Sequence, residues 1–110
     1  MKNNLDDLNI LRKIKSNPNS SQRELAKELG FSLGKLNYCL TALKSKGLIK
    51  INNFKNSKNK FKYFYILTPE GLIAKTDLTI KYMKLKMQEY DELNNELKSE
   101  NNISKKENNN

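Results

Sequence analysis

The feature that most constrains the fold is a pair of short helical patterns that meet at a corner within residues 20–50. Residues 21–24 read Ser-Gln-Arg-Glu, which is a capping box. In it the serine oxygen accepts from the Glu24 amide, and the glutamate side chain accepts from the Ser21 amide. The helix that begins there ends at Gly30, because glycine tolerates the left-handed conformation of a C-cap. Ser32 then caps another helix, so the two helices meet at a sharp turn.

The segments on either side of this corner predict one more helix and a hairpin. Apolar residues at three-residue steps predict a helix that ends at Asn17-Pro18-Asn19. Gly47 ends the helix that Ser32 starts, and residues 48–54 and 61–67 have the alternation or β-branched and aromatic content of strands. The loop between these strands is polar and basic. The predicted helical core positions are Leu5, Leu8, Leu11, Ile14, Leu25, Ala26, Leu29, Leu33, Leu36, Leu40 and Leu43.

A long helix is predicted after the hairpin, over residues 69–98. Thr68 is a suitable cap and Pro69 suits the first turn. From Ile73 onward the inward positions alternate steps of three and four, which is a heptad seam. At 1.5 Å per residue this helix spans about 40 Å, more than a small domain covers. The seam therefore predicts a homodimer through residues Ile80, Met83, Met87, Tyr90, Asn94 and Leu97, with Asn94 fixing the register.

Residues 99–110 have no core pattern and are predicted to form a disordered tail. The predicted domain boundaries are therefore 5–68 for the helices and hairpin, 69–98 for the dimerisation helix and 99–110 for the tail.

The positive charge is segregated along the chain. The net charge is +9, and residues 1–67 hold 14 Lys and Arg against 4 Asp and Glu, whereas residues 68–110 hold 7 against 8. No acidic residue lies between Glu28 and Glu70. A surface of one sign favours a polyanionic partner. The segregation is stronger evidence for such a partner than the lysine content. Lysine and asparagine are both abundant, as AT-rich coding would produce, so the lysine content alone is weak evidence.

The residue types argue against several classes of protein. There is no histidine, no glycine-rich phosphate loop and no spaced metal-ligand cluster, so we expect no enzyme, no cofactor and no metal site. The lone Cys39 excludes an internal disulfide and fits a reducing cytosol. No apolar run follows Met1, and the longest uncharged apolar stretch, residues 63–67, is too short to span a bilayer. We therefore expect a cytoplasmic protein without a membrane partner.

The order of elements predicts an α+β, mainly α fold: a winged helix-turn-helix of three helices and a hairpin wing, followed by a helix that forms a dimeric coiled coil. In that fold the third helix enters the DNA major groove. Asn37 suits an adenine edge and Lys35 a guanine, while Tyr38 or Thr41 can touch a base edge, a thymine methyl or phosphate. The predicted contacts to double-stranded DNA are Ser20, Ser21, Gln22, Ser32, Gly34, Lys35, Asn37, Tyr38, Thr41, Lys44, Lys46, Lys55, Lys58 and Lys60.

Other interpretations of the same residues stay open at this point. A winged helix also serves as a protein-interaction module without specific DNA readout, with the long helix as the docking element. Binding of RNA or single strands is a variant, although the aromatic residues follow the strand pattern. Tyr38 also fits a half-exposed packing role, and Cys39 fits a small hydrophobe as well as a redox sensor.

Residues 21–50, together with the Leu-Thr-Pro-Glu-Gly run at 67–71, resemble the winged-helix domain of MarR-type bacterial transcription regulators. The runs SQRELAKELG, SLGKLNYCL and FKNSKNK are similar to the branch known as EPS-associated MarR regulators. This resemblance implies a sequence-specific DNA-binding dimer that controls exopolysaccharide or surface-polysaccharide genes. MarR proteins carry Asp-x-Arg near the wing tip, where this chain has Asn59-Lys60-Phe61. No arginine is therefore available there to enter a narrow minor groove, and lysine must serve more diffusely.

Overall fold

The computed structural model describes the backbone of residues 4–55 and 61–108, and their side chains except those of 53–55, 61–64 and 104–108. The element order is α1 (Asn4–Ser16), α2 (Gln22–Leu29), α3 (Leu33–Ser45), β1 (Ile49–Lys55), β2 (Phe61–Leu67) and α4 (Pro69–Asn108). Three helices, a two-stranded antiparallel hairpin and a long last helix confirm the predicted fold class. The pairing of two such helices stays a prediction.

The corner between α2 and α3 is built by the predicted caps. The Ser21 hydroxyl accepts from the Glu24 amide at 3.1 Å, and the Ser32 hydroxyl accepts from the Lys35 amide at 3.0 Å. Gly30 follows α2 with φ of 70°, a left-handed conformation that costs a residue with a Cβ more than it costs glycine. The amides of Gly30 and Phe31 donate to carbonyls of α2, and the turn joins the end of α2 to the start of α3.

The core lies where α1, α2, α3 and β1 meet. The prediction of an inward leucine stripe is correct for Leu36, Leu40 and Leu43 but wrong for Leu33, which is exposed in the first turn of α3. Leu5 is exposed for the same reason, because it too lies in the first turn of its helix. The buried core residues are Leu8, Ile10, Leu11, Ile14, Leu25, Ala26, Leu36, Leu40, Leu43 and Ile49.

Among the hairpin residues whose side chains are described, those at its base pack against this core. Its register pairs Ile49 with Leu67 and Ile51 with Tyr65. Ile49 is buried, and Tyr65 and Leu67 pack against the core, whereas Ile51 is 40% exposed. A two-stranded ribbon that extends away from three helices has no further layer to cover its inward residues, so burial falls along β1.

The start of α4 is tied to the end of α3 and the start of β1. Thr68 donates through its hydroxyl to the Gly47 carbonyl and accepts from the Gly71 amide at 3.0 Å. The Thr68 amide donates to the Leu48 carbonyl at 3.0 Å. Gly71 is buried at this junction, and a Cβ on it would lie 1.9 Å from the same Leu48 oxygen. Position 71 in the first turn of α4 therefore accommodates only glycine without a shift of the backbone.

The structure places two boundaries differently from the sequence. The first compact unit runs to Thr79 instead of residue 68, since Leu78 of α4 packs against the core. The second unit, residues 80–110, contains the rest of α4, which continues to Asn108 through most of the segment predicted to be disordered. No glycine or proline follows Gly71, so no residue there breaks the helix. None of the described helices is both long and apolar enough to cross a membrane.

Candidate nucleic-acid interface

The outward face of α3 is polar and open, and none of the residues of α3 is acidic. Asn37, Tyr38 and Thr41 are exposed on it, and 78% of Tyr38 is accessible to solvent. Such exposure argues against the interpretation of Tyr38 as a half-exposed packing residue. The Thr41 hydroxyl donates to the Asn37 carbonyl at 2.8 Å, which leaves its oxygen as an acceptor for an external donor.

Gly34 leaves this face bare near the start of α3. It is exposed in the first helical turn, its φ is not positive, and a Cβ built on it would meet nothing within 4 Å. Neither backbone conformation nor packing within the chain therefore requires a glycine here, and alanine would favour the helix more. A glycine at such a position lets another molecule approach the helix closely.

The start of α2 joins the face of α3 through side chains. The Gln22 amide donates to Asn37 Oδ1 at 3.5 Å, a long hydrogen bond that restrains the Asn37 carboxamide. The hydroxyls of Ser21 and Ser32 accept backbone amides, and each retains a proton to donate to a phosphate oxygen. The N-termini of α2 and α3 each carry such a hydroxyl, and a helix N-terminus favours an anion.

Ser20, predicted to contact phosphate with Ser21 and Gln22, is buried in the structure. Its amide donates to the Asn17 carbonyl at 3.2 Å, and this turn folds its side chain inward. We therefore correct that prediction and remove Ser20 from the interface.

Lys35 has a different environment from the one that its place on the helical wheel suggested. Its ammonium lies 3.1 Å from Asp6 Oδ2 of α1 and 4.2 Å from the centroid of the Phe31 ring. The Lys35 side chain is 48% exposed and that of Asp6 only 16%. In the free protein this charge is thus neutralised from within the chain, which the sequence did not indicate because Asp6 lies on another helix.

The remaining predicted lysines fall into two groups. Lys44 and Lys46 are exposed at the end of α3. Lys55 is the last residue of β1 and its side chain is not described, while Lys58 and Lys60 lie outside the described residues. The contribution of the wing lysines therefore stays a prediction from the sequence.

Cys39 lies on the side of α3 that turns toward α1. It is half-buried and packs against the core. Burial, and then the charges of Asp7 and Asp6, raise the pKa of its thiol, against an opposing effect of Lys35. A protonated, packed thiol fits the interpretation of Cys39 as a small hydrophobe.

The described residues leave the seam of α4 exposed. The predicted dimerisation residue Asn94 is half-buried. The five apolar residues predicted with it are 47–66% exposed, namely Ile80, Met83, Met87, Tyr90 and Leu97. A row of large apolar side chains in solvent marks a surface that another molecule covers.

A basic groove of about 610 Å³ was not foreseen from the sequence. Four cationic side chains surround it, and its one carboxylate, Glu28, already lies 3.6 Å from the Lys13 ammonium and accepts from Asn17. No local sequence signal groups these residues, because they come from α1, α2 and α4. The groove is lined by Asn9, Arg12, Lys13, Lys15, Ser16, Glu28, Leu29 and Lys75.

The fold and this interface define a winged helix-turn-helix. The profile of the family described as winged helix-turn-helix DNA-binding matches residues 7–50, which span α1 to the start of β1. Residues 7–50 are therefore similar to that family, and the chain has the fold of a winged helix-turn-helix.

Solved structures with this fold include several transcription regulators. A mutant of MepR from S. aureus has a TM-score of 0.66, 18% identity, and coverage of 96% of this chain and 77% of its own. ZitR, a zinc-responsive MarR family member from Lactococcus lactis, has a TM-score of 0.63 and 19% identity, with coverage of 84% of this chain and 62% of its own. PcaV from Streptomyces coelicolor has a TM-score of 0.61 and 17% identity, with coverage of 73% of this chain and 55% of its own. This chain therefore spans about half of the length of PcaV. At these identities the likeness shows the fold. No curated protein sequence matches this chain.

Proposed function

We propose that this chain is a transcription regulator that binds double-stranded DNA in a sequence-specific manner as a homodimer in the cytoplasm. The observation that carries the proposal is the exposed, acid-free face of α3, where Gly34 leaves room beside Asn37 and Tyr38. A helix of this form fits the major groove, while the capped start of α2 meets the phosphate backbone.

Three further features support the proposal. The first compact unit, residues 1–79, carries the net positive charge of the chain, since it holds 15 basic and 6 acidic residues. The exposed seam of α4 supplies an apolar surface on which two copies can pair, and such pairing implies a two-fold symmetric DNA site. The resemblance to EPS-associated MarR regulators suggests exopolysaccharide or surface-polysaccharide genes as targets.

The proposal is tested first by selecting bound fragments from a random duplex pool. We expect a two-fold symmetric consensus, because a homodimer presents two identical reading helices. No enrichment, with the purified chain intact and folded, would favour the protein-interaction module instead.

On the selected duplex, Asn37→Ala is expected to reduce sequence discrimination. A good bidentate contact to a base contributes about 1–3 kcal/mol of discrimination, roughly 5- to 150-fold in the ratio of specific to random affinity. Titration of both duplexes with each variant measures this ratio. The matched variant Lys44→Gln removes a charge at the other end of α3 and should weaken both duplexes alike. Equal losses on both duplexes for Asn37→Ala would contradict its role in base readout.

Asp6→Asn is expected to strengthen DNA binding, because it releases Lys35 and removes a negative charge beside α3. The pair is partly exposed, so its loss should cost the fold less than about 1 kcal/mol. We expect affinity for any duplex to rise about 2- to 5-fold and the slope of log K against log salt to steepen by about 0.9. Asp77→Asn, the same change at an exposed position of α4, is the control. An unchanged salt slope for Asp6→Asn would show that Lys35 does not neutralise a DNA phosphate even when released.

A further inference from the structure

The part of α4 in the second compact unit carries a polar residue within its apolar seam. Asn94 follows Tyr90 by four residues and precedes Leu97 by three, so it occupies the first inward position of its heptad, like Ile80 and Met87. It is the half-buried member of a seam whose apolar members are exposed. A single amide in such a row costs stability unless a partner amide meets it.

We propose that two copies of this chain pair through α4 in parallel and in register, with Asn94 of one copy against Asn94 of the other. This inference rests on the proposed homodimer and adds its orientation. In a parallel pair each first inward position meets its own equivalent, so the two amides can donate to and accept from one another.

An antiparallel pair cannot provide this match, since each first inward position then faces a second inward position of the other helix. Asn94 would face one of the residues Thr76, Met83, Tyr90 or Leu97, and two of these four, Met83 and Leu97, offer no polar group that pairs well with an amide. A buried amide without a partner costs about 1–3 kcal/mol, twice in a symmetric dimer.

The charges beside the seam fit the parallel arrangement. In a parallel pair, the residue immediately before each first inward position lies on the flank of the seam. It meets the residue five positions further along the other helix. Lys86 then meets Asp91 of the second copy, and Leu93 lies along the aliphatic stem of Lys98. Within its own helix Lys86 only approaches Glu89 at 3.5 Å, with side chains 76% and 62% exposed, a weak contact that can exchange for the new one. No like charges meet at the flanks within residues 79–98.

The arrangement is tested by cysteine cross-linking in a Cys39→Ser background. Ile80→Cys and Leu97→Cys are made separately in the full chain and oxidised with glutathione disulfide, which is reduced to two molecules of glutathione for each protein disulfide that forms. We expect each variant to form a disulfide with its own copy, because equivalent seam positions of a parallel pair lie within disulfide reach. Mixing the two variants should give no joined 80–97 pair. In any antiparallel pair in which position 80 meets itself, the two positions 97 lie about 50 Å apart, so cross-linking of both variants identifies the parallel, in-register pair.

The outcomes separate this inference from the proposed function. A joined 80–97 pair, or self-cross-linking of only one variant, would overturn the parallel register and leave the dimer standing. A dimer by analytical ultracentrifugation in which neither variant cross-links would overturn it too. A monomer by the same measurement would remove the homodimer itself. Mobility shifts of the reduced variants on the selected duplex measure DNA binding independently of the cross-linking and ultracentrifugation results.

Discussion

Gly71→Ala is expected to lower the free energy of unfolding of the winged helix-turn-helix unit by about 3 kcal/mol or more, the upper part of the range for overpacked sites. The added Cβ would lie 1.9 Å from the Leu48 oxygen, a backbone atom that also accepts from the Thr68 amide at 3.0 Å. Relief of the clash must move either β1 or the first turn of α4. Urea denaturation followed by circular dichroism measures the loss.

The matched control is Gly34→Ala, which makes the same change at an exposed helical position where the new Cβ meets nothing within 4 Å. This variant should be more stable than the unchanged chain by up to about 1 kcal/mol, because alanine favours a helix. If Gly71→Ala were as stable as Gly34→Ala, the start of α4 could not lie against Leu48. DNA binding of Gly71→Ala should fall with the folded fraction and recover where the fold is restored by stabilising solutes.

Signals within a few residues made the fold predictable. The caps at Ser21 and Ser32 and the left-handed glycines Gly30 and Gly47 are set by neighbouring atoms, so the sequence indicates them directly. The role of Gly71 could not be predicted in this way. Its requirement arises from Leu48, which is distant in sequence and adjacent only once the hairpin has formed.

In the candidate interface too, the sequence predicted the features that one helix decides and missed those that depend on contacts between elements. A helical wheel places Tyr38 and Thr41 outward and Asn37 at the edge of that face, and all three are exposed in the structure because the geometry of one helix decides their exposure. The wheel does not show that Asp6 of α1 reaches Lys35, nor that the turn after α1 buries Ser20. Both depend on contacts between elements, which periodicity does not specify.

The proposed role of α3 makes its largest prediction at Gly34, where glutamate should reduce DNA affinity by more than about 100-fold. A carboxylate there would stand at the bare start of the reading helix, and the juxtaposition of like charges at an interface costs several kcal/mol. The fold should not suffer, since the site is open and an acid in the first turn suits the helix dipole by about 0.3–1 kcal/mol. Mobility shift and thermal unfolding of the same sample separate the two effects.

Two further variants distinguish charge from size and place. Gly34→Gln adds a side chain of the same length without charge, so its loss of affinity measures steric exclusion from the groove alone. Asn102→Glu lowers the net charge equally at an exposed position of α4 outside the residues predicted to contact DNA, so its loss of affinity measures the effect of net charge alone and should be small. If Gly34→Glu bound the selected duplex as tightly as Asn102→Glu, α3 would not enter the DNA groove, and its open face would have to serve another partner.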